Sequence, residues 1–148
     1  MEQLKNRPKI YSIILDTNLF ISALLHGGMS VLLIKLALLN KLTLFLSPEL
    51  KKEILRKFAE FKASGDQLKD LEIILNHKSI VEINPKIKIE VCRDPSDNFL
   101  LELAQESRVD FIVTRDKDLL ELSNQVLKHT KIIKPEDFLP FIRAEGVL

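Results

Sequence analysis

Seven acidic side chains stand just beyond apolar runs: Asp16, Glu49, Glu53, Asp94, Asp97, Asp116 and Asp118. Asp16 ends the apolar segment Ile10 to Leu15, and a charge there sits at the boundary of a core, where desolvation is costly unless something satisfies it. Glu49 and Glu53 follow Leu42 to Leu46, Asp94 and Asp97 come after Ile80 to Ile83, and Asp116 and Asp118 come after Val109 to Thr114. Two carboxylates about 4 Å apart repel by roughly 4 kcal/mol at an effective dielectric near 20, so four gathered together need a compensating charge. A hard divalent cation is the natural compensator. Oxygen ligands without a matching set of cysteines and histidines favour Mg2+ or Mn2+ over zinc, and His26, His77 and His129 are scattered and form no HExxH. A pair of such ions about 3.5–4 Å apart generates a hydroxide nucleophile and neutralises a leaving oxygen, the chemistry of phosphodiester hydrolysis.

Such a group forms only if the fold brings these positions to one edge. Apolar runs alternate with helical patterns along the whole chain, without repeats or a compositional break. Ile10 to Leu15 reads as a first buried strand, followed by a short helix over about Leu19 to Leu25 and a Gly27-Gly28 break. Ser30 is expected to cap a helix through about Asn40 that is apolar nearly all round, so part of the Val31 to Leu39 surface is expected to face a second subunit. Leu42 to Leu46 is a second strand, and Ser47-Pro48 opens a helix to about Ala63. A helix over about Asp66 to His77 and a short strand over Ile80 to Ile83 come next. Asn84 to Val91 reads as a strand end or an extended loop. Asp94-Pro95 opens a helix through about Ser107 with Phe99, Leu100, Leu103 and Ala104 inward. A strand over Val109 to Thr114, a helix over Lys117 to Leu122, a strand over Lys131 to Ile133 and a helix opened by Pro135 complete the chain. The expected class is α/β, a mostly parallel sheet of about five strands covered on both faces. Right-handed crossovers then put every strand C-terminus, and with it each acid, along one edge.

Each acid also has a plain structural use. Asp94 before Pro95 is an N-cap, worth about 1 kcal/mol, and Asp97, three residues on, favours the helix dipole. Glu49 is an ordinary first-turn acid, whereas Glu53 lies one turn further in and is the better ligand of the two. Asp116 and Asp118 flank Lys117, so one of them caps the short helix; Asp116 is nearer the strand end. Asp16 is the hardest to assign to structure alone. Cys92 reads as a half-buried small hydrophobe, since no histidine lies near it in sequence to activate a thiol.

Composition bounds the rest. A chain of 148 residues, 46% hydrophobic and 29% charged, fits one domain with one core. Its 22 basic and 21 acidic residues leave a net charge of +1, which gives no global signature of nucleic-acid binding. The single cysteine excludes a disulfide framework and any CxxC motif, and a reducing compartment, the cytoplasm, is the simplest expectation. Lys5, Arg7 and Lys9 ahead of Ile10 to Leu15 superficially suggest a signal peptide, but the run stops at Asp16 with no small-residue cleavage site. Residues 1–9 are expected to be a flexible lead. No apolar stretch approaches the roughly 18 residues that cross a bilayer, so no membrane role is expected.

Four pieces together carry a resemblance: Leu15-Asp16-Thr17-Asn18 with Ile21-Ser22-Ala23, Ser47-Pro48-Glu49 through Glu53, Asp94-Pro95-Ser96-Asp97-Asn98, and Val113-Thr114-Arg115-Asp116-Lys117-Asp118-Leu119-Leu120. In this order the chain resembles a PIN domain from about Ile10 to Phe138. The resemblance implies a three-layer α/β/α sandwich and a metal-dependent ribonuclease. Its acidic, catalytic and metal-binding positions fall on Asp16, Glu53, Asp97 and Asp116, with Asn18 and Thr114 as polar supports and Asp94 and Asp118 alongside. Family members of this size are often toxins of toxin-antitoxin pairs, usually dimeric and neutralised by a small partner protein that covers the site; that role rests on analogy. One departure is Arg115, where the family commonly has glycine; an arginine there could contact phosphate or crowd the metal. Arg93, Arg115 and Lys117, with Lys51, Lys52, Arg56 and Lys57, lie near the edge in sequence and could hold an RNA backbone, although a solvated face is their default reading.

The competing class is a catalytically silent PIN fold that binds RNA or a protein partner, against which the full set of four acids argues. A receiver domain wants a pair of acids after its first strand, and a haloacid-dehalogenase-type phosphatase wants Asp-x-Asp; position 18 is Asn.

Overall fold

Apolar runs of three to five residues build the sheet. The computed structural model describes residues 9–122 and 127–148, and the lead expected over residues 1–9 falls, except for Lys9, outside them. The strands are β1 (Tyr11–Leu15), β2 (Leu42–Leu46), β3 (Ile80–Glu82), β4 (Phe111–Val113) and β5 (Lys131–Ile133). All pairs are parallel, in the order β3-β2-β1-β4-β5, with Ile13 beside Leu44 and Leu15 beside Val113. Parallel neighbours need long crossovers. The helices among the described residues are α1 (Thr17–Leu25), α2 (Met29–Leu38), α3 (Pro48–Glu60), α4 (Gly65–Leu75), α5 (Pro95–Ser107), α6 (Lys117–Glu121) and α7 (Pro135–Ala144).

Ile13, Ile14 and Leu15 are all fully buried. Successive strand residues point to opposite faces, so burying all three requires helices on both sides, the α/β/α sandwich expected. The chain builds outward from β1 through β2 to β3, then returns by α5 to the other side of β1 to form β4. That reversal is a topological switch point, and the crevice beyond the C-termini of β1 and β4 is where such sheets bind ligands. Asp16 and Asp116 follow those two strands.

Three expectations need correction. Phe99 is not part of the core, to which α5 contributes the fully buried Leu101 instead. Ser30 does not cap α2: Gly28 holds the N-cap position with φ of 86°, a conformation that suits glycine, and Ser30 is buried in the first turn. Asn84 to Val91 forms no strand despite its alternation. It lies along α5, where the N–H groups of Lys86, Ile89 and Cys92 donate to Glu106 Oε1 (3.0 Å), Glu102 Oε2 (2.9 Å) and Asn98 Oδ1 (3.0 Å). Side chains thus take the bonds that a neighbouring strand would have taken. Other boundaries differ by up to three residues, α3 ending at Glu60 and not Ala63; α4 starts at Gly65 because Ser64 and Gln67 form a capping box.

Among the described residues no single helix is long and apolar enough to cross a membrane. The apolar helices α1 and α2 are bent by 101° to one another.

Candidate active site

Three aspartates reach the sheet edge by one local device. Asp16, Asp94 and Asp116 are the N-caps of α1, α5 and α6, each accepting a backbone N–H at 2.9 Å from Leu19, Ser96 and Asp118 respectively. A carboxylate is favoured at a helix N-terminus by the orphan N–H groups and the dipole. The competing readings of Asp94 and Asp116 as caps or as site residues therefore merge, because both cap a helix and line the same cavity.

That cavity, about 60 Å³, is lined by Asp16, Thr17, Asn18, Lys57, Asp94, Ser96, Asp97, Leu100 and Asp116. A water molecule's share of liquid volume is about 30 Å³, so the space suits ions and waters and is too small for a nucleotide. A polymer would lie across its mouth. Larger grooves elsewhere, such as one of about 370 Å³ between α1, α2 and α4, lack this concentration of carboxylates.

Thr114 ties β4 to β1. Its buried hydroxyl donates to Asp16 Oδ2 and accepts the Asp116 N–H at 3.0 Å. Asp16 is itself buried, and desolvation holds its carboxyl above the usual carboxylate range, opposed by the bonds from Thr114 and Leu19. Asp97 is half-buried and its side chain receives no hydrogen bond among the described residues. Burial first, then the charges of Asp116, Asp94 and Asp16, push its carboxyl up from 3.8 to about 7.

Glu53 adjoins the others without lining their cavity, next to Ser96 and Lys57 of its wall. It is buried on the flank of the cavity and is gripped by Arg56 through two bonds of 2.7 and 3.1 Å, which hold its carboxyl below the usual range. The remaining candidates scatter. Asn18 is exposed at the mouth, while Asp118 and Arg93 line a separate surface groove with Cys92. Burial and the charges of Asp97, Asp116, Asp118 and Asp94 push the Cys92 thiol up, which disfavours a thiolate nucleophile. Arg115 neither faces nor crowds the cavity, because its Nε bonds Glu136 Oε1 at 2.7 Å; Lys117 is exposed.

Sequence reading placed Lys57 only among basic residues near the edge, yet Lys57 lines the acidic cavity. Its i+4 spacing from Glu53 was the available signal. The buried Glu102 was missed altogether, and it serves the loop before α5.

Carboxylate oxygens fit a hard divalent cation in kind. Among the described residues no three such side chains already converge closely enough to hold one ion. The fit is one of donor chemistry, not of preformed coordination.

A PIN domain family profile matches residues 12–118. The chain is 35% identical over 143 residues to the uncharacterized protein MJ1680 of Methanocaldococcus jannaschii, covering 86% of this chain and 88% of that one. In shape it is similar to VapBC2 from Rickettsia felis, solved bound to a DNA fragment from its promoter, with TM-score 0.59 and 14% identity over 83% of this chain and 98% of the other. It is also similar to FitAB bound to an IR36 DNA fragment, with TM-score 0.52 and 15% identity over 83% and 94% of the two chains. The profile spans every aspartate of the cavity and both strands flanking the switch point, and on that match the chain belongs to the PIN domain family.

Proposed function

We propose that this chain is a metal-dependent endoribonuclease that hydrolyses RNA phosphodiester bonds, and that it is the toxin of a toxin-antitoxin pair. The observation that carries the reading is Asp16, Asp97 and Asp116 around one small cavity at the switch point, with Asp97 pushed up to about 7 by burial and its neighbours. Family membership supports nuclease chemistry, and the likeness to VapBC2 and FitAB favours an antitoxin partner.

Mg2+ or Mn2+ bound there would supply a hydroxide at neutral pH and charge neutralisation for the leaving oxygen. Asp16, Asp97 and Asp116 would hold it, with Glu53 joining only after leaving Arg56. Thr114 fixes the orientation of Asp16 and keeps Asp116 in register with it. The RNA backbone lies over the mouth, where Asn18 is exposed, and Arg93, Arg115 and Lys117 are its candidate contacts. Arg115 would first have to leave Glu136.

The test is incubation of mixed single-stranded and structured RNAs with Mg2+, Mn2+ or chelator. Cleavage that needs metal supports the enzyme. No cleavage by folded protein under any condition supports the silent RNA- or protein-binding module, the reading that the Arg56–Glu53 pair favours.

The protein is also read as a cytoplasmic homodimer. Ile73 and Leu39 are 63% and 67% exposed beside the apolar groove of α1, α2 and α4, surface that a second copy would cover. Light scattering at high concentration should give twice the chain mass; a monomer there removes the dimer.

A further inference from the structure

Among the described residues, Lys57 is the only basic side chain lining the acidic cavity. Its stem emerges from α3, and the side chain is 26% exposed. The ordinary reading is an i,i+4 helix pair with Glu53. That pair is loose: Arg56 already holds both Glu53 oxygens at 2.7 and 3.1 Å, while Lys57 Nζ stands 3.8 Å from Oε1, within ion-pair distance but outside hydrogen-bond range. The Lys57 ammonium makes no hydrogen bond among the described residues. It stands in the wall of the cavity that the aspartates line, with none of their oxygens within ion-pair distance among the described residues.

We propose that Lys57 is the chain's own counter-cation for the aspartate cluster, a positioning residue whose charge a divalent ion at Asp16, Asp97 and Asp116 must offset or displace on binding. The inference rests on the metal-site reading given above. From the cavity wall its positive charge attracts the aspartates and repels a cation bound among them. With Lys57 present the cluster tolerates the absence of metal; with metal present the ammonium becomes a like charge beside it. Removing the charge while keeping the stem should therefore weaken the metal-free protein and tighten its hold on metal.

The experiment is calorimetric titration of MnCl2 alone into wild type, K57Q, K57M and K57R at pH 8, with thermal melts in chelator and in saturating Mn2+. K57Q and K57M should bind Mn2+ about fivefold tighter or more, given the size of such charge–charge energies. They should melt below wild type in chelator, and the gap should close in saturating Mn2+. K57R should follow wild type. Equal or weaker Mn2+ binding by both neutral variants overturns the displacement, whatever their stability. No Mn2+ uptake by wild type overturns the site reading itself, and the inference with it.

Discussion

Asp16→Asn should lower RNA cleavage by about 100-fold or more, the scale of removing a main stabiliser of transition-state charge, while leaving the fold unchanged by circular dichroism. Asparagine keeps an oxygen to accept the Leu19 N–H that Asp16 now accepts at 2.9 Å, so the start of α1 stays capped. Thr114, which donates to Asp16 Oδ2, can rotate its hydroxyl to accept from the new amide. What disappears is negative charge at the end of β1, the strand that borders the switch point on one side. Asp16→Ala is the informative contrast: it removes the cap as well and should cost about 1 kcal/mol of stability. Expression of wild type, but not of Asp16→Asn, should arrest growth of a host lacking the antitoxin. Undiminished cleavage by rigorously purified Asp16→Asn would remove Asp16 from the chemistry.

How much of this was legible beforehand follows from the range of the forces involved. The sheet was readable because β4 and Ile13 to Leu15 of β1 are buried on both faces and β2 buries Leu42, Leu44 and Leu46, a signal carried by neighbouring residues. The caps at Asp94, Asp116 and Ser47 were readable for the same reason, since a cap and its partner N–H lie within three residues. Ser30 misled because a serine before an apolar helix is a sound cap signal, and the positive φ of Gly28 pre-empted it. Asn84 to Val91 misled because its hydrogen-bond partners sit on α5, a helix later in the chain. Alternation specifies which faces of a segment differ, not what lies beside it.

The site divides along the same line. Sequence order placed Asp16, Asp97 and Asp116 at one edge because parallel crossovers leave little choice. Glu53 belongs by pattern, and the structure holds it instead in an ion pair with Arg56, a neighbour only one helical turn away. Which of two local partners an acid selects depends on rotamers and burial. Lys57 shows the converse, since its i+4 spacing from Glu53 signals only a helix-surface pair, and the cavity it lines is completed by residues following β1 and β4 and on α5, far away in sequence.

Asp97→Asn should make the metal-free protein more stable at pH 8 than wild type while abolishing cleavage. Asp97 has its folded-state carboxyl pushed up to about 7 from an ordinary 3.8. The folded protein thus holds a proton that the unfolded chain gives up at lower pH. Stability that is fully present below the unfolded value is lost as pH rises through the folded one, so wild type should weaken between about pH 4 and about pH 7 in chelator. Burial is the first cause, followed by repulsion from Asp116 and Asp94 at the caps of α6 and α5 and from Asp16 at the end of β1, with Lys57 opposing from α3. Asparagine cannot ionise, so the variant skips this loss. Its melting midpoint should exceed that of wild type by a few degrees at pH 8, and the two should meet near pH 4. Added Mn2+ should reverse the order, because wild type gains stability by binding and the variant gains less. A variant that melts below wild type at pH 8 in chelator would mean that neither burial nor the neighbouring aspartates penalise the Asp97 charge, and the electrostatic case for a cation among them would fail with it.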